Sequence, residues 1–275
     1  MAIEHRDSAS ASDAPYTLPN AGEQAPLRFR ALERLYDAST IAHLERCGVS
    51  PGWRCLEVGG GSGSIARWLA DRVGPAGWVL TTDIDTRFLD PLAGPTLEVR
   101  RHDIAAEPLP EAAFDLVHTR LVLHHLPGRA EALRRMVGAL RPGGWIVVEE
   151  FDWTTMDPDP AEFPALALFR RVGGALQRVM TERGADGTYG RQLWWRLRAH
   201  GLVDVGAEGR VSIQQGGSPG AQLALAGVDQ LREAVLRAGS ATEQDIEAFR
   251  ALLADPDFAY MSPVMVTAWG RRPVG

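Results

Sequence analysis

Five small residues after a short apolar run decide what this chain can fold into. Cys55-Leu56-Glu57-Val58 leads into Gly59-Gly60-Gly61-Ser62-Gly63, and Ile65, Trp68, Leu69 and Val73 follow at helical spacing. Strand, glycine turn, helix is the unit with which an α/β fold presents a nucleotide at the carboxyl end of its first strand. Glycine supplies positive φ there and lets backbone approach a ligand with no Cβ in the way. A side chain at Gly61 or Gly63 is therefore expected to meet the ligand or to strain the backbone. A dinucleotide fingerprint G-x-G-x-x-G would need glycine where Ser64 stands. No phosphate-cradling Gly-Lys-Ser or Gly-Lys-Thr run is present, and the chain has no lysine at all.

Further strand ends follow in order. Trp78 to Asp83 reads as a second strand ending in an acid 20 residues past Gly63, where a carboxylate can accept ribose hydroxyls. Ile84 beside it can lie flat against a purine. Leu97 to Ile104 reads as a third strand with Asp103 near its end, Phe114 to Thr119 as a fourth, and Trp145 to Glu150 as a fifth, preceded by Leu140-Arg141-Pro142-Gly143-Gly144. In this order, the E-x-G-x-G-x-G turn, the two acids and the Leu-Arg-Pro-Gly-Gly turn resemble the class I S-adenosylmethionine-dependent methyltransferases, in the branch that acts on small molecules. The resemblance covers roughly residues 50–155 and extends beyond them only in general layout.

That resemblance implies S-adenosylmethionine as cofactor. It implies a binding set of Glu57, Gly59, Gly61, Gly63, Asp83, Ile84, Asp103, Ile104 and Arg120, with Asp103 accepting from the adenine amino group. An N-terminal helical segment closes over the cofactor in related enzymes, which makes Tyr16 and Arg28 candidates for the methionine carboxylate. A packing tyrosine and a solvated arginine are equally good readings of those two.

The implied fold is α/β: a seven-stranded Rossmann-like doubly wound sheet with a last antiparallel strand, plus N-terminal helices and a helical lid insertion. Residues 1–15, rich in Ser, Ala and Asp, are expected as a disordered tail, and 16–48 as a helical cap of one broken or two short helices. The binding domain is expected over 49–155 and 201–275, with 156–200 as a lid carrying helices near Phe163–Met180 and Gly190–His200. Leu202–Val205 and Arg210–Ile213 suit the sixth strand and its extension, and Val264–Trp269 the last. Ser240 with Glu243, or Thr242 with Asp245, supplies a capping-box start for a late helix. The aromatic residues Trp153, Phe163, Phe169, Tyr189, Trp194 and Trp195 suit either a pocket for a flat acceptor or a helix-packing core.

Methyl transfer is an in-line displacement, so nucleophile and methyl must be held collinear, and a hydroxyl nucleophile gains from losing its proton. His124 and His125, after the fourth strand, have the unperturbed pKa for accepting that proton. The region looks like that of sugar O-methyltransferases of glycoside-antibiotic pathways, which implies a base at one of the two. The Leu-His-His-Leu pattern fits a structural or cofactor-proximal role as well. Glu150, after the fifth strand, could orient a histidine or bind a polar substrate, or simply bond backbone at a strand end.

A formal net charge of −6, with scattered arginines as the cations, argues against a nucleic-acid partner. Two cysteines, Cys47 and Cys55, are too few for a disulfide framework or a zinc site, and no metal is expected. No basic-then-apolar leader or long apolar run stands out, so the expectation is a cytoplasmic monomer or homodimer with a small-molecule substrate and no membrane partner. O-methylation of an aromatic or polycyclic metabolite is the first reading. The alternatives are a methyltransferase fold using the cofactor for a non-methylating reaction such as cyclisation, and a quinone C-methyltransferase.

Overall fold

Strand alternation sorts the core before any helix is considered. Along β1 (Arg54–Val58), β2 (Trp78–Asp83) and β4 (Phe114–Arg120), the side chains of Leu56, Val58, Leu80 and Val117 enter one apolar cluster, while Cys55, Val79 and Leu116 enter another. A strand with both faces buried needs helices on both sides, and the chain provides them. In the computed structural model, which describes residues 24–154, 158, 159 and 161–274, helices α1 (Ala25–Arg46) and α2 (Ser64–Val73) cover one face. Helices α3 (Arg129–Ala139) and α5 (Tyr189–Ala199) cover the other. The expected N-terminal tail and Tyr16 lie outside the described residues.

The main sheet has seven strands in the order β3-β2-β1-β4-β5-β9-β6, with β3 at Leu97–Arg101, β5 at Leu140–Asp152, β6 at Val203–Arg210 and β9 at Val264–Arg271. Strands β1 to β5 pair in parallel, and β9 lies antiparallel between β5 and β6. This is the doubly wound sheet with a last antiparallel strand. The order turns outward in both directions from β1 and β4, which puts the crevice for a ligand at their carboxyl ends.

Three details depart from the local reading. The cap is one unbroken helix of 22 residues, because no Gly or Pro interrupts it after Pro26. Leu140–Gly144 is not a turn ahead of the fifth strand but its irregular beginning. Register with β4 shifts between Phe114 and Leu116, and Gly144 lies so close that a Cβ would stand 2.9 Å from the Phe114 carbonyl. The stretch Ile213–Gln215 (β7) does not extend β6 but pairs with Ala259–Met261 (β8) as a separate two-stranded ribbon.

The lid also divides differently. Of the two helices in 156–200, α5 packs on β5 and β9 and sends Tyr189, Leu193 and Leu197 into the sheet core. Only α4 (Pro164–Glu182) leaves the sheet. Two later helices join it, α6 (Pro219–Arg237) and α7 (Glu243–Ala254), and the three share a separate apolar cluster with Phe258 and Tyr260. Thr242 and Asp245 form the capping box of α7. Helix α6 also packs along α1, so cap and lid meet over the strand ends. Among the described residues no helix is long and apolar enough to cross a membrane.

Candidate active site

A cavity of about 300 Å³ opens where the cap, the lid and the carboxyl ends of the sheet converge. Its floor is the glycine turn. Gly59, Gly61 and Gly63 all have positive φ, +73°, +58° and +82°. They face different neighbours, however. A Cβ at Gly59 would stand 2.2 Å from Val122, and one at Gly61 2.9 Å from the Phe29 ring of α1. A Cβ at Gly63 would meet Leu92 and Leu89 on the far side, and Gly63 serves as the N-cap of α2 outside the cavity lining. Gly60, unremarkable in the motif, is confined by Thr81, whose Oγ1 would lie 2.1 Å from an added Cβ.

Two carboxylates stand on adjacent strand ends. Asp83, closing β2, accepts from the amides of Gly61 at 3.1 Å and Asp85 at 3.1 Å, which leaves lone pairs free for further donors. Burial raises its pKa, and those backbone N–H groups partly oppose the rise. Asp103, past β3, accepts from the Ala105 amide at 2.8 Å. Ile84 (37% exposed) and Ile104 line the cavity beside them. Two acceptors, apolar flanks and a floor without side chains suit a nucleoside whose sugar hydroxyls and base amino group are donors and whose base is flat. The donor set therefore fits S-adenosylmethionine.

Arg28 and Arg120 also line the cavity. Arg28 is buried and donates to Gln230 of α6, tying cap to lid. Arg120 donates to Asp37 at 2.8 Å and Thr40 at 2.9 Å, both on α1.

Past β4 the chain makes a single 3-10 turn, Leu123–His125, which aims His124 and His125 into the cavity with ring centroids 3.8 Å apart. Glu150, behind them and outside the lining, holds this turn. Its carboxyl accepts from the amides of Val122 at 3.1 Å and Leu123 at 2.6 Å and bonds Nδ1 of His124. Burial pushes the Glu150 carboxyl up to about 8, against the lowering effect of those amides. Burial likewise pushes His124 down to about 3 and His125 well below the ordinary imidazole value, the latter helped by His124, Arg28 and Arg129. Near neutrality the Glu150–His124 pair is uncharged, with one proton between carboxyl and Nδ1.

Glu57 is absent from the lining too. It lies beneath the floor, in a cluster that local patterns do not reveal. Fully buried His118 on β4 has Glu57 Oε1 3.6 Å from Nδ1 and Glu149 Oε2 3.4 Å from Nε2. Thr40 of α1 and Thr267 of β9 donate to Glu149 at 2.5 Å and 2.7 Å. Burial would lower the His118 pKa, but hydrogen bonding to Glu149 and Glu57 and their charges prevail and raise it to about 9. An imidazolium between two carboxylates thus locks β1, β4 and β5 together and, through Thr40, fastens the cap.

The opposite half of the cavity is apolar. Trp153, Phe169, Leu176 and Met180 face Leu223 and Val228 of α6 and Phe249 of α7. Of the aromatic residues noted in sequence, Trp153 and Phe169 reach the cavity. Tyr189 is buried in the sheet core, and Phe163, Trp194 and Trp195 (51%, 37% and 66% exposed) lie outside. The contributions of Phe29, Leu32, Leu35 and Tyr36 from α1 carried only the signal of helical apolar spacing, which does not say what the face covers.

Comparison with known proteins agrees with this geometry. The methyltransferase domain family matches residues 56–148. A methyltransferase of Strobilurus tenacellus is 31% identical over 194 residues, covering 70% of this chain and 68% of that protein. A ubiquinone/menaquinone biosynthesis C-methyltransferase of Laribacter hongkongensis is 36% identical over 141 residues, covering 47% and 57%. The chain thus spans between about half and two thirds of the length of these curated relatives. Among solved structures, phosphoethanolamine N-methyltransferase 2 of Haemonchus contortus, in complex with phosphomonomethylethanolamine and S-adenosylhomocysteine, shares the fold with a TM-score of 0.58 at 15% identity over 96% of this chain and 61% of that one. The YcgJ protein of Bacillus subtilis does so with a TM-score of 0.56 at 13% identity, over 87% and 100%.

Proposed function

The chain belongs to the class I S-adenosylmethionine-dependent methyltransferases, and from that premise we propose that it methylates a hydroxyl of a small, largely apolar acceptor, an aromatic or polycyclic metabolite. The observation that carries this reading is the continuity of one cavity from Asp83 and Asp103 to the apolar wall of Phe169, Leu223 and Phe249. S-adenosylmethionine, when bound, supplies a methyl group on a positively charged sulfur. In this reading Asp83 accepts the ribose hydroxyls and Asp103 the adenine amino group, with Ile84 and Ile104 against the base. In the same reading Gly59 and Gly61 let the backbone approach, and Arg28 and Arg120 receive the methionine carboxylate.

His124 or His125 takes the acceptor's proton. For His124 the atom left is Nε2, since Nδ1 is engaged by Glu150, which acts as a positioning residue. Nε2 holds the imidazole hydrogen while Glu150 is protonated, and it takes a proton only once Glu150 ionises, near pH 8, and accepts the hydrogen at Nδ1. Both imidazoles are neutral at physiological pH, and burial makes both weak bases. Their larger contribution is to hold the acceptor oxygen in line and exclude water.

The likeness to ubiquinone/menaquinone C-methyltransferases favours a second reading, transfer to an electron-rich ring carbon, for which positioning alone suffices. One experiment addresses both. The protein is given isotopically labelled S-adenosylmethionine and a panel of phenols, hydroxylated glycosides, indoles and amines, and the labelled product is identified by NMR. An O-methyl product is expected, and a ring C-methyl product would replace the first reading with the second. Label confined to RNA, DNA or protein would refute both.

A further inference from the structure

Among the described residues five glycines line the cavity: Gly59, Gly61, Gly173, Gly220 and Gly227. Four of them are explained by the protein itself, because an added Cβ would press on a neighbour. For Gly59 that neighbour is Val122, for Gly61 Phe29, for Gly220 the Gln214 side chain at 2.2 Å, and for Gly227 Leu176 at 3.3 Å. Gly173 is different. It sits in the middle of α4, with ordinary helical φ, and among the described residues nothing lies within 4 Å of the position its Cβ would take.

Glycine is among the poorest residues in a helix interior. Neither a turn nor a close helix crossing requires one here. Its place on α4 shows where the open space leads. Phe169, Gly173, Leu176, Gln177 and Met180 all line the cavity, at the i, i+4, i+7, i+8 and i+11 spacing of a single helix face. The gap at Gly173 therefore interrupts an otherwise large-residue wall and adds its volume to the cavity. Among the described residues no charged residue lines this lid half: Arg28, Asp83, Asp103, Arg120 and the histidines all belong to the cap, to the last residues of the strands or to the loops that follow them. A charged group placed beside Gly173 would lose its water and find no partner.

We propose that Gly173 is a specificity-determining residue: it keeps room in the lid half for an uncharged apolar portion of the acceptor, remote from the atom that is methylated, and sets how long that portion can be. This rests on the reading of the cavity as the acceptor site. The acceptor is then an amphiphile in outline, with its reacting polar end toward His124 and His125 and a neutral hydrocarbon ring or chain directed between α4 and α6.

A homologous series of 4-n-alkylphenols, from methyl to octyl, tests the inference on the full chain. Binding is followed by calorimetry with and without S-adenosylhomocysteine. In the wild-type protein, affinity is expected to rise about fourfold per methylene until the lid half is full. In Gly173→Leu the short phenols bind as before, but the rise stops early, leaving the longest at least tenfold weaker. Gly173→Ala gives an intermediate cut-off and a higher melting temperature, because alanine favours the helix, and it keeps the test alive if the leucine variant misfolds. Gly174→Leu, whose side chain starts toward Arg178 instead of the cavity, leaves the whole series unchanged. A flat series in wild type, or an equal loss at every chain length in Gly173→Leu, would overturn the proposal. Affinity for S-adenosylhomocysteine separates the two levels. Loss of that affinity in Gly173→Leu would place the residue at the cofactor instead. Failure of the wild type to bind it would count against the functional reading itself, while the chain-length dependence still decides the role of Gly173.

Discussion

The two halves of the cavity are built from opposite materials. On the sheet side, Glu57, His118, Glu149, Glu150 and His124 are all buried, and each has hydrogen-bond or ion-pair partners on other strands, on the turn after β4 or on the cap. On the lid side the shared interior of α4, α6 and α7 is apolar, and the ion pairs, such as Arg250 with Asp229 and Arg171 with Asp245, lie at its outer surface. Buried polar networks are directional and fail when one partner is removed. Apolar packing tolerates swaps that conserve volume. A site built this way holds a cofactor in one geometry and leaves the choice of acceptor to the shape of a wall that can change in small steps.

The largest contrast is expected in turnover. Replacing by Ala whichever of His124 and His125 positions and deprotonates the acceptor should lower the single-turnover rate by about 10²–10⁴-fold, roughly 3–5 kcal/mol of barrier, with cofactor affinity intact. The lid swap Leu176→Met should change the rate by less than about tenfold. Losses below tenfold in both histidine variants, at unchanged affinity, would show that neither acts as base.

Next comes stability. His118→Ala strands Glu57 and Glu149 as buried carboxylates without their cation, which should cost about 3–5 kcal/mol in urea unfolding. A cost under about 1 kcal/mol would mean that the cluster beneath the floor carries no charge worth compensating. Cofactor binding gives a smaller effect. Asp83→Ala should weaken S-adenosylhomocysteine by about 1–3 kcal/mol in calorimetry, whereas Leu176→Met should not. Equal affinities for Asp83→Ala and wild type would remove Asp83 from the ribose.

The last contrast is a pH dependence. His118 is raised to about 9, so its stabilisation is complete below the ordinary histidine value and is lost as pH climbs to 9. Glu150, raised to about 8, likewise loses stability from its ordinary 4.5 up to 8. His124, lowered to about 3, gains stability from 3 to 6.5 and offsets Glu150 over the lower part of that range. The melting temperature should therefore fall between about pH 6.5 and 9, and Glu150→Gln should flatten the part below 8. Through the ordinary histidine range near pH 6.5 the rate should show no histidine step, because burial lowers both active-site imidazoles below it. A clear rise in rate near pH 6.5 would contradict the burial of His124 and His125.

Much of this was legible one segment at a time. The glycine turn, the acids Asp83 and Asp103 at their strand ends, the histidine pair and the Thr242–Asp245 cap are local patterns, set by φ preferences, strand alternation and short hydrogen bonds between near neighbours in the chain. What a face meets is not local. Helices α4 and α5 have similar amphipathic spacing, yet one closes the cavity and the other packs on β5 and β9. Glu57 stands in the motif expected to touch the cofactor but turns down toward His118, 61 residues away in sequence.

Local patterning determined the succession of strands and helices as far as β5, and the resemblance carried by the motifs implied the fold class and the cofactor, because both rest on each segment's own backbone and side chains. Tertiary packing decided the rest. The pairing of β9 between β5 and β6, the union of α4 with α6 and α7, and the open space in front of Gly173 depend on which distant surfaces come together. Burial then acts on what they enclose: it pushes Glu150 up and His124 down from their ordinary pKa values, a shift that no residue type carries in isolation.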